Sequence, residues 1–391
     1  MRKFYDQIKL IRCLQALAIM CLFSAQVIGQ GKVSDSFVSY DLSKNDRKIK
    51  LTDLIEEIEF IRLEETPESL LGSVGDVQVV GDKFVFVGNR FKGDIFVFDS
   101  QGKLINRINR LGSSPEEYPS LKDMWVEGDL IVVYTYQKGI KRYQLNGDFV
   151  SSNKLELPAG HVLGDSKNYF LDMGFNSLDD GASYNVVQLD GNMGITGRYL
   201  PFKKASSAGA MTSYSSLFEY KESIGFYRPA SDTVYLYQKD KFVPFIHFEF
   251  GNNWHWDDYD PFSPDVIKGL REGDKVWSIK PKVGSRYIIT SSLYGKSGKL
   301  RLEHVIDRRN AETILIDLER TSKKQPFDLQ VSLWESDDTF YAFLPAMDAV
   351  GLVTEASAKN WSFRGGTSLE EIASSENPVL VRIRIKDFSK K

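Results

Sequence analysis

A five-residue pattern recurs along the chain as FDSQG at residues 98–102, YQLNG at 143–147, VQLDG at 187–191 and, without its glycine, YQKD at 237–240. Successive copies begin at residues 98, 143, 187 and 237, so they are spaced 45, 44 and 50 residues apart. Each copy follows a run of β-branched and aromatic residues and ends in a polar turn, which is typical of an antiparallel hairpin. A period of about 40–50 residues that holds several strands indicates a β-propeller blade.

A Gly-Asp turn provides a second marker of the same unit. Gly81-Asp82 precedes the apolar run Phe84–Val87, and Gly128-Asp129 precedes Leu130–Val133 in the next unit. Each unit is therefore expected to hold four strands, with the Gly-Asp turn after the first strand and the polar-Gly turn after the third. We predict six blades, at about residues 71–112, 118–157, 159–203, 215–251, 275–321 and 327–388.

The last unit lacks one strand. It contains three strand-like runs, Leu329–Trp334, Thr339–Leu344 and Pro378–Ile385, and the alternating run Ile58–Leu63 near the other end of the chain can provide the fourth. Pairing the two chain ends in this way closes the ring and leaves no open sheet edge. The predicted fold class is all-β, a six-bladed β-propeller with four-stranded blades, closed by an N-terminal strand that completes the last blade. The alternative is a pair of β-sandwiches, which the regular spacing disfavours.

The first 29 residues have the pattern of a secretory signal peptide. Four basic residues between Arg2 and Arg12 precede the apolar run Leu14–Phe23, and small residues follow it. The apolar run is interrupted by Gln15 and is shorter than the ~20 residues that a membrane helix needs. We therefore predict a signal peptide at residues 1–29, a polar lead-in at 30–55, the propeller at 56–388, and no membrane span after cleavage.

Composition narrows the class of protein further. Both cysteines, Cys13 and Cys21, lie in the predicted signal peptide, so the mature chain would have no disulfide and no cysteine metal ligand. We expect no lipid anchor at Cys21, because Met20 stands where a lipoprotein signal has a small residue. The chain has 50 basic and 53 acidic residues and is 42% hydrophobic, which argues against a disordered protein and against nucleic acid as a partner.

Three segments resemble a known family. The sequence LGSSPEEY at 111–118 resembles the Gly-x-Gly-Pro-Gly-Glu-Tyr link between blades of secreted bacterial six-bladed β-propellers, which are related to the NHL-repeat propellers. Ser114 and Glu116 replace two of the family's glycines. Residues 377–382 are similar to that family's last strand, and residues 248–251 to its segment between blades four and five. The resemblance spans residues 56–388 and implies the propeller fold and export to the periplasm or cell surface of a bacterium.

The predicted long connections all leave one face of the ring. In a four-stranded blade, the loop between the second and third strands emerges on the same face as the loop that leads to the next blade. The insertions at 203–215, 251–274 and 346–376 are all of these two kinds. We call this the elaborated face and the other the plain face. Because long loops on a rigid scaffold often carry function, we predict a ligand site on the elaborated face over the central channel. The alternative is that the insertions pack on one another and fill the channel.

The richest cluster in these insertions is NNWHWDDYDPF at residues 252–262. Flat indole rings beside carboxylates and amides suit a carbohydrate, whose CH face stacks on the rings while its hydroxyl groups meet the polar side chains. The alternative is that the tryptophans pack into the junction of blades four and five. The candidate ligand-binding residues are Trp254, Trp256, Asp257, Asp258 and Tyr259, together with Arg90, Tyr136, Phe175, Arg228 and Trp361 from other loops of the same face. Arg90 and Arg228 could pair with an anionic ligand.

Signals for catalysis and for metals are weak. The four histidines show no HExxH spacing, and the P-loop and G-x-S-x-G motifs are absent. His161, in a predicted blade-junction loop, is the one weak metal candidate. The acidic run at 257–260 lacks the sixth-position glycine and the twelfth-position glutamate of a calcium loop, so we predict no cofactor and leave calcium and zinc open.

These observations favour a non-catalytic binding or scaffold protein of the cell envelope. Its expected ligand is a carbohydrate or a peptide, and an envelope protein is a further possible partner. The alternative is an envelope lyase, lactonase or glycosidase that uses the propeller channel, with His161 and nearby carboxylates as acid and base.

Overall fold

The computed structural model describes residues 33, 35–44, 47–136, 138–165, 167–202, 216–228, 231–257, 273–295, 300–320, 325–355 and 360–388. From residue 35 onward the chain is dominated by strands, which form six sheets of four or five strands each. These sheets are the blades of a six-bladed β-propeller, and they confirm the predicted fold class.

The N-terminal segment adds strands to three different blades. Strand β1 (Val38–Asp41) pairs in parallel with the last strand of blade four, and β2 (Lys48–Lys50) pairs in parallel with the last strand of blade five. Helix α1 (Leu51–Leu54) and strand β3 (Ile55–Ile61) follow, and β3 enters blade six. The segment predicted as a polar lead-in, residues 30–55, thus contains two edge strands, whose three or four residues carry little apolar alternation.

Blades one to three have four antiparallel strands each. In chain order these are β4 (Gln78–Val80), β5 (Lys83–Asn89), β6 (Asp94–Asp99), β7 (Leu104–Asn109), β8 (Asp123–Glu127), β9 (Leu130–Thr135), β10 (Gly139–Tyr143), β11 (Phe149–Asn153), β12 (His161–Gly164), β13 (Asn168–Asp172), β14 (Tyr184–Asp190) and β15 (Ile195–Pro201). The first strands of neighbouring blades contact one another, as β4 does with β8 and β8 with β12. First strands therefore surround the centre of the ring.

Blades four to six have four antiparallel strands and a fifth, outer strand. The strands of blades four and five are β16 (Leu217–Tyr220), β17 (Ser223–Phe226), β18 (Thr233–Gln238), β19 (Lys241–Glu249), β20 (Val276–Val283), β21 (Tyr287–Tyr294), β22 (Leu300–Asp307) and β23 (Glu312–Asp317). Blade six contains β24 (Gln330–Trp334), β25 (Thr339–Leu344), β27 (Val379–Ile385) and β3. The insertion between β25 and β27 forms α2 (Ala346–Glu355), β26 (Trp361–Arg364) and α3 (Leu369–Ala373), and β26 pairs in parallel with β3 as the fifth strand.

The chain ends meet in blade six, as the sequence predicted. The order β24, β25, β27, β3 places an N-terminal strand beside the C-terminal one, with Phe60 opposite Val381. Buried Asn377 reinforces this junction, because its side-chain oxygen accepts from the backbone N–H of Leu71 at 2.8 Å and its nitrogen donates to the carbonyl of Ser69 at 3.0 Å. The ring is thus closed by hydrogen bonds between segments about 300 residues apart in sequence.

Apolar side chains fill the spaces between neighbouring blades. In β5 all five residues Phe84–Gly88 are buried, although alternate side chains point to opposite faces of the sheet. A sheet covered on both faces carries a continuous apolar run of this kind. The rings of Phe86 and Phe98 stack at 5.6 Å, and Phe86 meets Phe343 of blade six edge to face at 5.4 Å. This packing makes the blades a rigid support for the loops at both ends.

The glycine of the recurring pattern has a steric cause. Gly102 has a φ of +83°, and a Cβ at this position would lie 2.1 Å from the backbone oxygen of Arg62. Gly147, in the next copy, has a φ of +88°. A residue with a Cβ rarely adopts this conformation, so the third turn of a blade selects glycine where another chain segment approaches it closely.

In the described ranges, no helix has the length and apolar character of a membrane span.

Candidate functional site

The first strands of blades two and three begin on the elaborated face with titratable residues. Asp123 opens β8 and His161 opens β12, and both side chains are buried. Oδ2 of Asp123 lies 3.0 Å from Nδ1 of His161 and also accepts the backbone N–H of Val162 at 3.1 Å. Because an ionised carboxylate only accepts hydrogen bonds, Nδ1 carries the proton of this contact. Nε2 of His161 is buried and makes no hydrogen bond to any described residue.

Asp172 is the second carboxylate of this region, at the end of β13 and directly opposite His161 in the sheet register. It is fully buried. Its oxygens accept the backbone N–H of Gly174 at 2.9 Å, Nη2 of Arg228 at 2.8 Å and the hydroxyl of Ser216. Ser216 and Arg228 belong to blade four, so Asp172 ties blade three to blade four in the same way that Asp123 ties blade two to blade three.

Arg228 uses little of its hydrogen-bonding capacity. Its side chain is buried, and Nη2 donates to Asp172, but Nε and Nη1 make no hydrogen bond within the described part of the chain. The guanidinium carbon lies 4.0 Å from the ring centroid of Phe175 and 5.2 Å from that of Phe226, which is within the range of cation–π attraction. Arg228 is thus held by one carboxylate and two aromatic rings, and two of its nitrogens make no hydrogen bond to a described residue.

Phe175 covers the guanidinium of Arg228 from a strained position. Its φ is +66°, in the left-handed region that an aromatic residue rarely occupies, and its side chain is half-buried. The ring packs edge to face against Phe202 at 5.3 Å. Strain of about 1–3 kcal/mol at such a residue is often found at ligand sites. We call Asp123, His161, Asp172, Phe175, Ser216 and Arg228 the inter-blade cluster.

The charges around His161 set its protonation. Burial by itself would lower the pKa of His161, but the charge of Asp123, its hydrogen bond to Nδ1 and the charge of Asp172 outweigh burial and raise the pKa above its ordinary value. Lys122 acts in the opposite direction. The folded protein therefore favours the imidazolium more than the unfolded chain does, and when His161 is protonated Nε2 is a hydrogen-bond donor.

His161→Asn tests this protonation through stability. The Asn amide can replace Nδ1 as the donor to Asp123, but it cannot take up a proton. Because the pKa is raised on folding, the charged imidazole stabilises the protein fully below the unfolded pKa of about 6.5, and this contribution is lost as the pH rises through the folded pKa. We expect the melting temperature of the wild type to exceed that of H161N by more at pH 5.5 than at pH 8.5. An equal difference at both pH values would contradict the raised pKa.

The structure brings together three of the residues singled out in the sequence: Phe175, Arg228 and His161. Sequence reasoning missed Asp123, Asp172 and Ser216. A signal existed for Asp172, which ends the otherwise apolar run Tyr169–Leu171 of a buried strand. A carboxylate at such a position must be buried and needs partners. The partners themselves could not be read from the sequence because they belong to the next blade.

The tryptophan cluster is packed more closely than an open carbohydrate platform. Trp254 is only 6% exposed, lies in the apolar core between blades four and five, and stacks on Phe250 at 5.1 Å. Trp256 is half-buried, and its indole N–H donates to the carbonyl of Trp277 at 2.7 Å. Asp257 is exposed at the end of a short 3₁₀ helix, His255–Asp257. The candidates Asp258 and Tyr259 lie outside the described residues.

The remaining candidates lie on other loops and strands. Arg90 and Tyr136 are exposed on the loops that follow the second strands of blades one and two. Trp361 is in β26 and pairs with Ile58 on the outer edge of blade six, because the insertion crosses the blade and adds a strand there. Over the described ranges, no group of three or more His, Cys, Asp and Glu side chains converges in a way that could hold a metal ion.

A cavity of about 480 Å³ opens on the plain face of the same three blades. Arg142 in its wall has its donors occupied by Glu127 at 2.9 Å, by Asn153 at 2.7 Å and by the hydroxyl of Tyr169. Glu219 also lines the cavity, where burial of its carboxyl and the nearby charge of Asp165 raise its pKa. In this cavity the basic side chain, Arg142, already has hydrogen-bond partners within the protein for its donors, whereas two nitrogens of Arg228 in the inter-blade cluster make no hydrogen bond to a described residue.

Comparison with known proteins places the chain in a family. No curated protein sequence matches it. The solved structure of a "putative exported protein" from Bacteroides fragilis has 16% sequence identity and a TM-score of 0.68, and the match covers 90% of this chain and 100% of that one. A member of the DUF4221 family from Bacteroides vulgatus has 12% identity and a TM-score of 0.47, covering 85% of this chain and 97% of that one. The first likeness supports the propeller fold. Residues 37–384 match the profile of the family described as "Domain of unknown function (DUF4934)", and the chain therefore belongs to the DUF4934 family.

Proposed function

We propose that this protein is an exported cell-envelope β-propeller that binds a ligand at the inter-blade cluster without transforming it. Export to the periplasm or cell surface is supported by the signal-peptide pattern of residues 1–29 and by the description of the Bacteroides fragilis structure as exported. A relation to the NHL-repeat propellers stays a prediction from the sequence.

One observation carries the binding function: His161 Nε2, Arg228 Nε and Arg228 Nη1 are all buried and make no hydrogen bond to a described residue. Leaving a buried polar group unpaired costs about 1–3 kcal/mol. Asp172 links the two residues, because it is the strand partner of His161, its charge acts on the imidazole, and it accepts a hydrogen bond from Arg228. Three unpaired nitrogens on two residues that neighbour the same carboxylate are expected of a site whose acceptors come from a ligand.

Two other arginines, Arg107 and Arg142, have several donors occupied by the protein, and Arg228 is the arginine with two buried nitrogens unpaired among the described residues. Arg107 donates from both Nε and Nη2 to Asp94, at 3.0 and 2.9 Å, and Arg142 uses Nε, Nη1 and Nη2 for three partners. If Arg228 only joined blades three and four, the protein would be more stable with all of its guanidinium donors hydrogen-bonded in the same way. Arg228 leaves two of its nitrogens unused, as expected of a ligand-binding side chain.

The expected ligand is a carbohydrate or a peptide that carries hydrogen-bond acceptors. The guanidinium donates to oxygen atoms, and the half-buried ring of Phe175 beside it offers an apolar face. An envelope protein that presents the same groups on its surface is a further possible partner.

Arg228→Lys tests the binding function. Lysine keeps the positive charge beside Asp172 but loses the planar set of donors, so R228K should fold and lose the ligand-induced thermal shift. A ligand at 100 times its Kd stabilises the wild type by about 2.7 kcal/mol, which a thermal-shift screen against glycans and peptides detects. Arg107→Lys is the control, because it alters an Arg–Asp pair on another blade, in which Arg107 is exposed and Asp94 is buried. An undiminished shift in R228K would contradict the assignment of the site.

The Asp123–His161 hydrogen bond favours one second candidate, an envelope lyase, lactonase or glycosidase. A carboxylate that orients Nδ1 while Nε2 makes no hydrogen bond to a described residue is the arrangement of a general acid or base. If this candidate is correct, the wild type turns over a substrate among sugars, lactones and glycosides, and H161N loses that activity while it retains its fold. If the wild type binds a ligand without turning it over, the enzyme candidate is contradicted and the non-catalytic binding function is supported.

A further inference from the structure

We propose that the inter-blade cluster is a carboxylate site for an acidic carbohydrate, in which the carboxylate of a uronic acid binds Arg228 and His161. This inference rests on the proposed binding function and names the ligand class. In this structure the site is closed, because the ring of Phe175 covers the guanidinium of Arg228.

The free groups of the cluster match an anion. Nε and Nη1 of Arg228 are permanent donors, since the guanidinium stays charged at every relevant pH. Nε2 of His161 becomes a third donor when the imidazole is protonated, because Nδ1 already donates to Asp123. A carboxylate accepts several such bonds, and charge-assisted hydrogen bonds are roughly twice as strong as neutral ones.

The two carboxylates of the cluster repel such a ligand less than isolated charges would, because both already accept hydrogen bonds from the protein. Asp123 accepts from His161 and Val162, and Asp172 accepts from Gly174, Ser216 and Arg228. The groups that act on His161 are Asp123, Asp172 and Lys122, and the last of these adds a positive charge. With the imidazole protonated, Arg228, His161 and Lys122 together outnumber the two carboxylates by one positive charge.

The shape of the cluster favours a sugar acid over a peptide. The free nitrogens belong to the side chains of two residues next to Asp172, whereas an extended peptide is held along its backbone. Phe175 and Phe202 place two half-buried aromatic rings next to these donors. A uronic acid carries its carboxylate on the sugar ring itself, so that one residue can reach the donors and lay its CH face on an aromatic ring.

Phe175 controls access to the donors. Its ring lies against the guanidinium of Arg228, and its backbone has the unfavourable φ of +66°. A change of this backbone conformation that also moves the ring aside relieves the strain, which lowers the cost of opening the site. The incoming carboxylate replaces the cation–π contact with charge-assisted hydrogen bonds.

Binding of a carboxylate is coupled to the proton on His161. The anion stabilises the imidazolium, so the complex takes up a proton wherever the free protein is only partly protonated. Titration calorimetry detects this uptake, because the measured heat then depends on the ionisation enthalpy of the buffer.

The experiment titrates the purified protein with galacturonate oligomers at pH 7 in two buffers of different ionisation enthalpy. Neutral galactose oligomers and a peptide with a free C-terminal carboxylate are the comparison ligands. We expect galacturonate to bind with proton uptake, H161N to bind about tenfold more weakly without proton uptake, and R228K to lose binding. R107K should bind like the wild type, and the melting temperature of each variant shows that it is folded.

The outcomes separate this inference from the proposed function. Equal binding of galacturonate and neutral galactose oligomers, or unchanged galacturonate binding in H161N and R228K, would overturn the carboxylate site and leave a binding protein. Binding of the peptide alone would overturn the sugar class. If neither these probes nor the wider glycan and peptide screen binds, the proposed function itself fails.

Discussion

Phe60→Ala is expected to lower the free energy of unfolding by about 3–5 kcal/mol, the usual cost of removing a fully buried Phe side chain. Phe60 is fully buried in β3, lies opposite Val381 of β27 and contacts the ring of Phe363 at 5.6 Å. Because β3 joins the two chain ends, a cavity at this position weakens the closure of the whole ring. The loss should therefore appear as a lower midpoint of urea unfolding for the entire propeller.

Phe91→Ala is the control for this measurement. Phe91 is 97% exposed on a loop of blade one, so its truncation should change the unfolding free energy by no more than about 0.5 kcal/mol. Far-ultraviolet circular dichroism follows all six blades at once. If F60A and F91A unfolded at the same urea concentration, β3 could not be the strand on which closure depends.

Glu303→Gln is expected to stabilise the protein at pH 8, on the order of 3 kcal/mol. Glu303 lies in β22 and is only 7% exposed. Burial raises its pKa from 4.5 to about 7, although Arg301 beside it, a hydrogen bond with Ser291 and the charge of Lys280 all act in the other direction. Burial prevails because the carboxylate loses more hydration than these partners restore.

The sign of the effect follows from the direction of the shift. A carboxyl group whose pKa is raised on folding releases its proton at lower pH in the unfolded chain, so stability falls as the pH rises from about 4.5 to about 7. Above pH 7 the full cost is present, and glutamine avoids it. At pH 4 both side chains are neutral, and E303Q and the wild type should have similar stability. Urea unfolding at pH 4, 6 and 8 measures the difference.

Glu335→Gln is the matched control with the opposite sign. Burial alone would raise the pKa of Glu335, but hydrogen bonds from Arg382 and Tyr341 outweigh it and hold the pKa below its ordinary value. The ionised form therefore stabilises the fold, and E335Q should destabilise the protein at pH 8. Stabilisation by both substitutions, or a gain in E303Q that does not depend on pH, would show that the charge of Glu303 is not the cause.

The candidate site was only partly predictable from the sequence. Arg228 and Phe175 were expected on loops of the elaborated face, and His161 at a blade junction, because strand and turn patterns locate such loops. Their grouping was not predictable. Asp123 and His161 are 38 residues apart, and Asp172 and Arg228 are 56 apart, so the contacts depend on how three blades pack side by side. For the tryptophan cluster the sequence predicted more than the structure supports. Its composition suggested a ligand platform, whereas the packing of blades four and five buries Trp254.

The fold class and the closure of the ring were determined by the sequence alone. Turn residues such as Gly102 and apolar runs such as Phe84–Val87 act through local sterics and burial, and their regular spacing sets the number of blades. The tertiary structure alone decided which carboxylates pair with which cations, and which nitrogens remain free. It also placed β1 and β2 on the outer edges of blades four and five. The physical reason is that hydrogen bonds and charge pairs form between atoms a few ångströms apart, and in a propeller that proximity arises between blades rather than along the chain.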